Sequence, residues 1–205
     1  MSTAAREAVL QRIRAASAGP ASSVVVPRDY RGPSGPGDAE LFVERLRDYH
    51  AGVQRVALGD VGTMIGACLE RRGVVHVGVG SGFPTPWLGD VAGRVTFEES
   101  LTCTGDLESL DGVLTQCRLG IAETGTIVLT HRSGQGRRAL TLVPDYHLVV
   151  VQESQVLRGV PDAVSVLAGE PVLTWISGPS ATSDIELKRV EGVHGPRTLE
   201  VVLVR

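Results

Sequence analysis

Four stretches of this 205-residue sequence combine chemically able residue types with spacing that would present them together. In Gly120-Ile121-Ala122-Glu123-Thr124-Gly125-Thr126, Glu123 stands among small and apolar residues beside a glycine turn. A carboxylate stripped of part of its water holds its proton more tightly, which suits general acid/base or nucleophilic work. Equally, Glu123, Thr124 and Thr126 could satisfy backbone donors inside a buried turn, since buried polar groups need partners. Both readings stay open. In Ser177-Gly178-Pro179-Ser180-Ala181-Thr182-Ser183-Asp184-Ile185-Glu186, small polar residues leave many backbone N–H groups free to converge on one point. Such a loop opening a helix would cradle a phosphate or carboxylate, with Gly178, Ser180, Thr182 and Asp184 as contacts. It also reads as a plain helix start, capped by Ser183 or Asp184. In Gly192-Val193-His194-Gly195-Pro196-Arg197, His194 lies between small residues, Gly195 frees the backbone, and Arg197 could pair with a carboxylate or phosphate.

The fourth stretch, Gly78-x-Gly80-x-Gly82, has some of the look of a dinucleotide fingerprint. Pro84 and Pro86 follow it and the third glycine is misplaced, so a crossover loop is the better reading. Two lesser candidates remain. Ser133–Arg138 reads as a turn with solvated arginines rather than a second anion contact, and His147 as a satisfied core residue opening a strand. A Schiff-base lysine would have to be Lys188, whose charged neighbourhood makes it a poor one.

These loops need elements to hold them. Thr3–Ala18 reads as an amphipathic helix through Ala5, Val9, Ile13 and Ala16. The Pro-, Ser- and Gly-rich stretch Gly19–Gly37 reads as a flexible linker. The body then runs from residue 38 to 205, with Asp38 capping a helix through Leu41, Val43, Leu46 and Tyr49. Strands are expected at Arg55–Leu58, Val74–Val79, Arg94–Phe97, Ile127–Thr130, His147–Val151, Val172–Ser177 and Leu199–Val204. Helices are expected at Val61–Arg72, within Leu107–Cys117, and at Val160–Ala168. Strands alternating with helices imply a mainly parallel sheet covered on both faces. The unbroken apolar runs Leu148–Val151 and Val201–Val204 fit burial on both sides. In such sheets ligands bind at the carboxyl ends of the strands, which places the site in the loops that follow them.

Composition narrows the class further. No apolar run approaches the roughly 20 residues of a membrane-spanning helix, and Met1–Ala18 lacks the apolar stretch of a secretory leader. The three cysteines, Cys68, Cys103 and Cys117, form neither a disulfide framework nor a cluster-ligand pattern. A cytoplasmic chain with no cofactor of its own is therefore expected. A net charge of -3 and 4% aromatic residues give no reason to expect nucleic acid.

With both blocks written out, Gly120–Val128 and Ser177–Arg197 resemble the two signature blocks of the LutC/YkgG family, the LUD-domain proteins. Their order and separation fit, as does Pro144…His147 between them. The resemblance covers roughly Asp38 to Arg205. It implies a three-layer αβα fold similar to that of NagB, RpiA and the CoA transferases. It also implies service in L-lactate oxidation to pyruvate alongside iron–sulfur partner proteins, this chain being the component without clusters. Cys117 stands where the family pattern has an acid and Ala181 where it has a base, which bears on ligand preference. Three roles are expected in competition. The first is a lactate-system component that binds a small carboxylate, a phosphate-bearing ligand or a partner. The second is a stand-alone enzyme of isomerase or CoA-transferase type, with Glu123 as base or nucleophile and His194 and Arg197 on the substrate. The third is an interaction module docked through Met1–Gly37.

Overall fold

The computed structural model describes residues 3–18, 25–182, 190–191 and 195–205. The chain divides into two units after Arg31. In the first, α1 (Thr3–Ala16) carries no buried residue. The second begins at Gly32, so the described end of the expected linker runs with the body. There the Asp162 carboxylate accepts from the backbone N–H of Ser34 at 2.7 Å and of Gly35 at 3.0 Å.

The body contains, in order, α2 (Ala39–Asp48), β1 (Gly52–Val56), α3 (Val61–Arg72), β2 (Val77–Val79), β3 (Val95–Phe97) and α4 (Thr104–Glu108). Next come β4 (Gly112–Gln116), β5 (Leu119–Ile121), β6 (Thr126–Leu129), β7 (Tyr146–Gln152), β8 (Val156–Leu157) and α5 (Val160–Val166). The last elements are β9 (Thr174–Ile176), β10 (Ala181–Thr182), β11 (Val190–Glu191) and β12 (Thr198–Val204). Six strands form a wholly parallel sheet in the order β1-β12-β7-β4-β2-β3. A second, four-stranded sheet runs β8-β5-β6-β9, and β10 pairs antiparallel with β11.

Alternation along the strands sends side chains to two faces. On one, Leu148, Val150, Val202 and Val204 meet Val61, Ile65, Cys68 and Leu69 of α3. On the other, Val149, Val151, Leu199, Val201 and Leu203 meet Phe42, Val43 and Leu46 of α2 together with Ile127 and Leu129 of β6. The far side of the small sheet is covered by Ala163 and Leu167. The result is an α/β fold with helices on both sides of the main sheet. Local chemistry sets the helix ends. Asp38 accepts from the N–H groups of Glu40 and Leu41, and Gly73, with φ +65°, stops α3 in the left-handed conformation.

Some expectations need correction. The region Leu107–Cys117 gives no helix of its own beyond the end of α4. Its Gly112–Gln116 stretch is β4, a central strand, because Val113, Leu114 and Thr115 are buried on both faces of the sheet. The strand expected from Val74 starts only at Val77, since the Asp111 carboxylate holds the N–H groups of Val75 and His76. The strand expected over Arg55–Leu58 ends at Val56. The strands at 127 and 174 belong to the small sheet rather than the parallel one, pairing antiparallel with each other. The second of them is an edge with Trp175 40% exposed, not a buried strand.

One charged group lies under α3. Glu200, 2% exposed, accepts from Tyr146 Oη at 3.0 Å and from Gln54 Nε2 at 3.3 Å. It also pairs with Arg71, and with Arg72 Nε at 3.6 Å. Burial alone would raise its pKa, but the Tyr146 hydrogen bond and the Arg71 charge outweigh it and hold the carboxyl below its usual value. Cys68, 3.6 Å from this carboxylate, is pushed the other way, to about 11, first by burial and then by the Glu200 charge. Such a thiol is a poor nucleophile.

Candidate functional site

A cleft of about 290 Å³ opens where the β9–β10 connection overhangs the starts of β7 and β12. Its walls include Ser177, Gly178, Ser180 and Ala181 from that connection, and Gly195 and Pro196 from the approach to β12. His147 and Leu199, each the second residue of its strand, form part of its floor. The cleft therefore sits at the amino ends of the parallel strands, not at the carboxyl ends expected from open sheets in general. The small second sheet is the reason: it carries the overhanging loop to that edge. The loop is closed onto the β12 approach by a Ser180 N–H bond to the Pro196 carbonyl at 2.8 Å.

The two signature stretches are joined by a chain of hydroxyls. Thr126 Oγ1, on a side chain 4% exposed, lies 2.8 Å from Ser177 Oγ and 2.7 Å from Thr124 Oγ1. Their glycines share a different neighbour, helix α2. A Cβ on Gly120 would come 2.9 Å from the Phe42 ring, one on Gly125 2.8 Å from the Arg45 backbone, and one on Gly178 2.7 Å from Tyr49 Cβ. Phe42, Arg45 and Tyr49 recur at helical spacing along one stripe. Gly125 and Gly178 also have φ of +58° and +83°, which glycine adopts without steric cost. The glycine pattern is thus accounted for by close docking onto α2.

Glu123 takes its place in the turn between β5 and β6. Its N–H bonds the Arg158 carbonyl at 3.0 Å, its carboxylate lies 3.9 Å from Arg158 Nε, and its side chain is 28% exposed. It is not among the residues lining the cleft. Arg197 also stands elsewhere, with its Nε 3.5 Å from Asp145, in a second cleft on the α3 side with Arg72 and Tyr146. Ala181 and Thr182 form β10, with Thr182 paired to Val190, and the helix start expected at Ser183 or Asp184 lies outside the described residues. Asp184, Ser183 and His194 fall outside the described residues, as does Lys188. Ala181, one of the two departures from the family pattern, lines the cleft, whereas Cys117 is buried in the α2-side core. Burial alone pushes the Cys117 thiol up to about 12.

The residues that sequence reasoning undervalued are Arg138 and His147. Arg138 lines the cleft, and its Nη1 donates to Thr174 Oγ1 at 2.7 Å. Thr174 Oγ1 is also 2.7 Å from His131 Nε2, while His131 Nδ1 is 3.0 Å from the Gly136 carbonyl. A carbonyl only accepts, so Nδ1 carries the proton and Nε2 accepts from Thr174, leaving the threonine oxygen for Arg138. His131 holds this arrangement with φ +56°, an uncommon conformation for a residue with a side chain. His147 is 1% exposed, with Nε2 2.8 Å from Thr115 Oγ1. Burial lowers its pKa to about 3, so the ring is neutral at ordinary pH. The sequence offered Arg138 only within a stretch read as a turn, and His147 only as a satisfied core residue opening a strand. His147 meets Thr115 only because β4 pairs with β7.

Gly80 and Gly82, the remnant of the dinucleotide pattern, pack elsewhere. A Cβ on Gly80 would lie 2.3 Å from the Gly136 nitrogen, and one on Gly82 2.0 Å from Ser133 Oγ. Among the described residues no group of three or more His, Cys, Asp or Glu side chains is placed to hold a metal ion, and no helix is long and apolar enough to cross a membrane.

Comparison with known proteins agrees with the family resemblance. The LUD domain matches residues 39–204. Lactate utilization protein C of Deinococcus radiodurans is 46% identical over 170 residues, covering 80% of this chain and 77% of that protein. The protein YkgG of Escherichia coli K12, described as uncharacterized, is 41% identical over 85 residues, 38% of this chain and 36% of its own length. A crystal structure of a DUF162 family protein from Deinococcus radiodurans superposes with a TM-score of 0.70 at 39% identity, covering 82% of this chain and 96% of that one. With the domain matched over most of the body and this relative aligned across four-fifths of the chain, the protein belongs to the LUD domain family.

Proposed function

We propose that this chain is a component of an L-lactate utilisation system, acting with iron–sulfur partner proteins in the oxidation of lactate to pyruvate and binding a small carboxylate in the cleft. Two kinds of support converge. Relatives of the chain bear the name lactate utilization protein C. The observation that carries the binding role is the cleft itself, where the cation Arg138 stands with the hydroxyls of Ser177 and Ser180 over a buried imidazole. A guanidinium with neighbouring hydroxyl donors is suited to a carboxylate.

Glu123 faces Arg158 and Gly159 rather than the cleft, which favours this reading over a stand-alone isomerase or CoA transferase using Glu123. Isothermal titration of the purified chain with L-lactate, and co-purification of iron–sulfur proteins with the tagged chain from its native host, test the proposal. Saturable lactate binding and a stoichiometric complex are expected. Absence of both overturns it. Glu123→Gln is expected to change lactate affinity less than twofold, and a larger loss would return Glu123 to the site.

A further inference from the structure

Helix α1 (Thr3–Ala16) is 14 residues long and carries no buried residue. Isolated helices shorter than about 12–15 residues are marginal in water, and most draw their stability from packing an apolar face. Helix α1 has little else to draw on, since its first turn holds no acid to meet the positive end of the helix dipole. The sequence supplies the face. Ala5, Val9, Ile13 and Ala16 follow one another at steps of four, four and three, so they share one stripe. Its two large members stand open, Val9 at 50% and Ile13 at 55% exposure.

The shape and borders of the stripe point to what covers it. It is narrow and ends in alanines, the seam of a helix pair rather than the broad face, rich in aromatics and leucine, that beds into a lipid surface. Arg6 neighbours Val9 on one flank, and Arg12 neighbours Val9 and Ala16 on the other. The helix's one acid, Glu7, falls on the opposite face with Arg14. A second copy of α1 would set the flanking arginines against their own kind, which disfavours self-pairing. The complementary surface is a helix with carboxylates on both sides of a short apolar seam.

We propose that α1 docks an acidic amphipathic helix of an iron–sulfur partner protein, an inference that rests on the partnership proposed above. Apolar burial at Val9 and Ile13 supplies affinity, and the flanking arginines set orientation and encounter rate. The test uses the tagged full chain and the iron–sulfur proteins it retains from its native host. Amide exchange across Thr3–Ala16 is expected to slow at least tenfold in that complex. Val9→Asp combined with Ile13→Asp is expected to weaken the complex at least tenfold, and Arg6→Glu combined with Arg12→Glu at least fivefold. Arg14→Glu, on the opposite face, should change it less than twofold. Raising salt from about 0.05 to about 0.5 M screens exposed charges and should weaken the wild-type complex. Unchanged exchange in α1, or full retention by the Val9→Asp, Ile13→Asp chain, overturns the inference and leaves the partnership standing. A wild-type dimer abolished by that double variant also overturns it, in favour of a second copy. Sedimentation with phosphatidylglycerol vesicles that depends on Arg6 and Arg12 overturns it in favour of lipid. A wild-type chain that retains no iron–sulfur protein overturns the partnership itself, and the inference with it. The exchange measurement needs no variant, and because α1 carries no buried residue the substitutions leave the core of the body untouched.

Discussion

Strands β7 and β12 present buried polar groups on both faces of the sheet, and the two faces treat them differently. Toward α3, Glu200 is met by Tyr146, Gln54, Arg71 and Arg72, so every side of the carboxylate is answered from within the protein. Toward the small sheet, His147 has one partner, Thr115, and borders a cleft. Consecutive residues, Tyr146 and His147, open onto these two environments. A closed polar network is a structural device, whereas a buried imidazole at the edge of a cleft stands beside space a ligand can enter.

The contrast predicts unequal mutational costs. Glu200→Ala is expected to destabilise by about 3 kcal/mol, the lower end for breaking a buried ion pair because its arginines are half exposed. Urea unfolding measures it, and a loss under 1 kcal/mol would mean the network is ornamental. Gly178→Ala should cost about 2 kcal/mol, since it combines positive φ with a clash against Tyr49. The same melts would expose a smaller value as evidence that the cleft loop can lift from α2. His147→Gln should cost about 1 kcal/mol, one neutral hydrogen bond. If it costs as much as Glu200→Ala, the two faces are alike and the comparison fails.

Acid should separate the faces further. His147 is held near 3 when folded against 6.5 for the free group, so between these values only the unfolded chain takes up the proton. Its contribution is complete above about pH 6.5 and drains away as pH falls towards 3. Glu200 is lowered from 4.5, so its share is present above that pH and is lost as pH drops through the folded value. Stability is therefore expected to decline first between pH 6.5 and 4.5, and His147→Gln should flatten that phase while Glu200→Gln flattens the lower one. Arg138→Gln is the smallest effect, within about 0.5 kcal/mol, because the residue is exposed and its task is external.

What could be read from the sequence was whatever local chemistry decides. The Asp38 cap and the span of α3 depend on residues within a turn or two, and both were legible. Gly112–Gln116 was not: a short apolar run has no period to distinguish strand from helix, and only its place between β2 and β7 makes it central. The site divides the same way. The Ser177–Ser180 loop was visible as a cluster of small polar residues. The stature of Arg138 and His147 depends on which sheet edge the loop overhangs, and that edge is set by strand pairings scattered over some hundred residues.

The stripe of Phe42, Arg45 and Tyr49 makes α2 a keel on which several loops rest at once. Because a single added methyl would collide at each seat, the path of those loops has no slack to be redrawn. Exchanges at Ala181 or Trp175, which line the hollow without bearing on that keel, are then the ones expected to retune what it accepts.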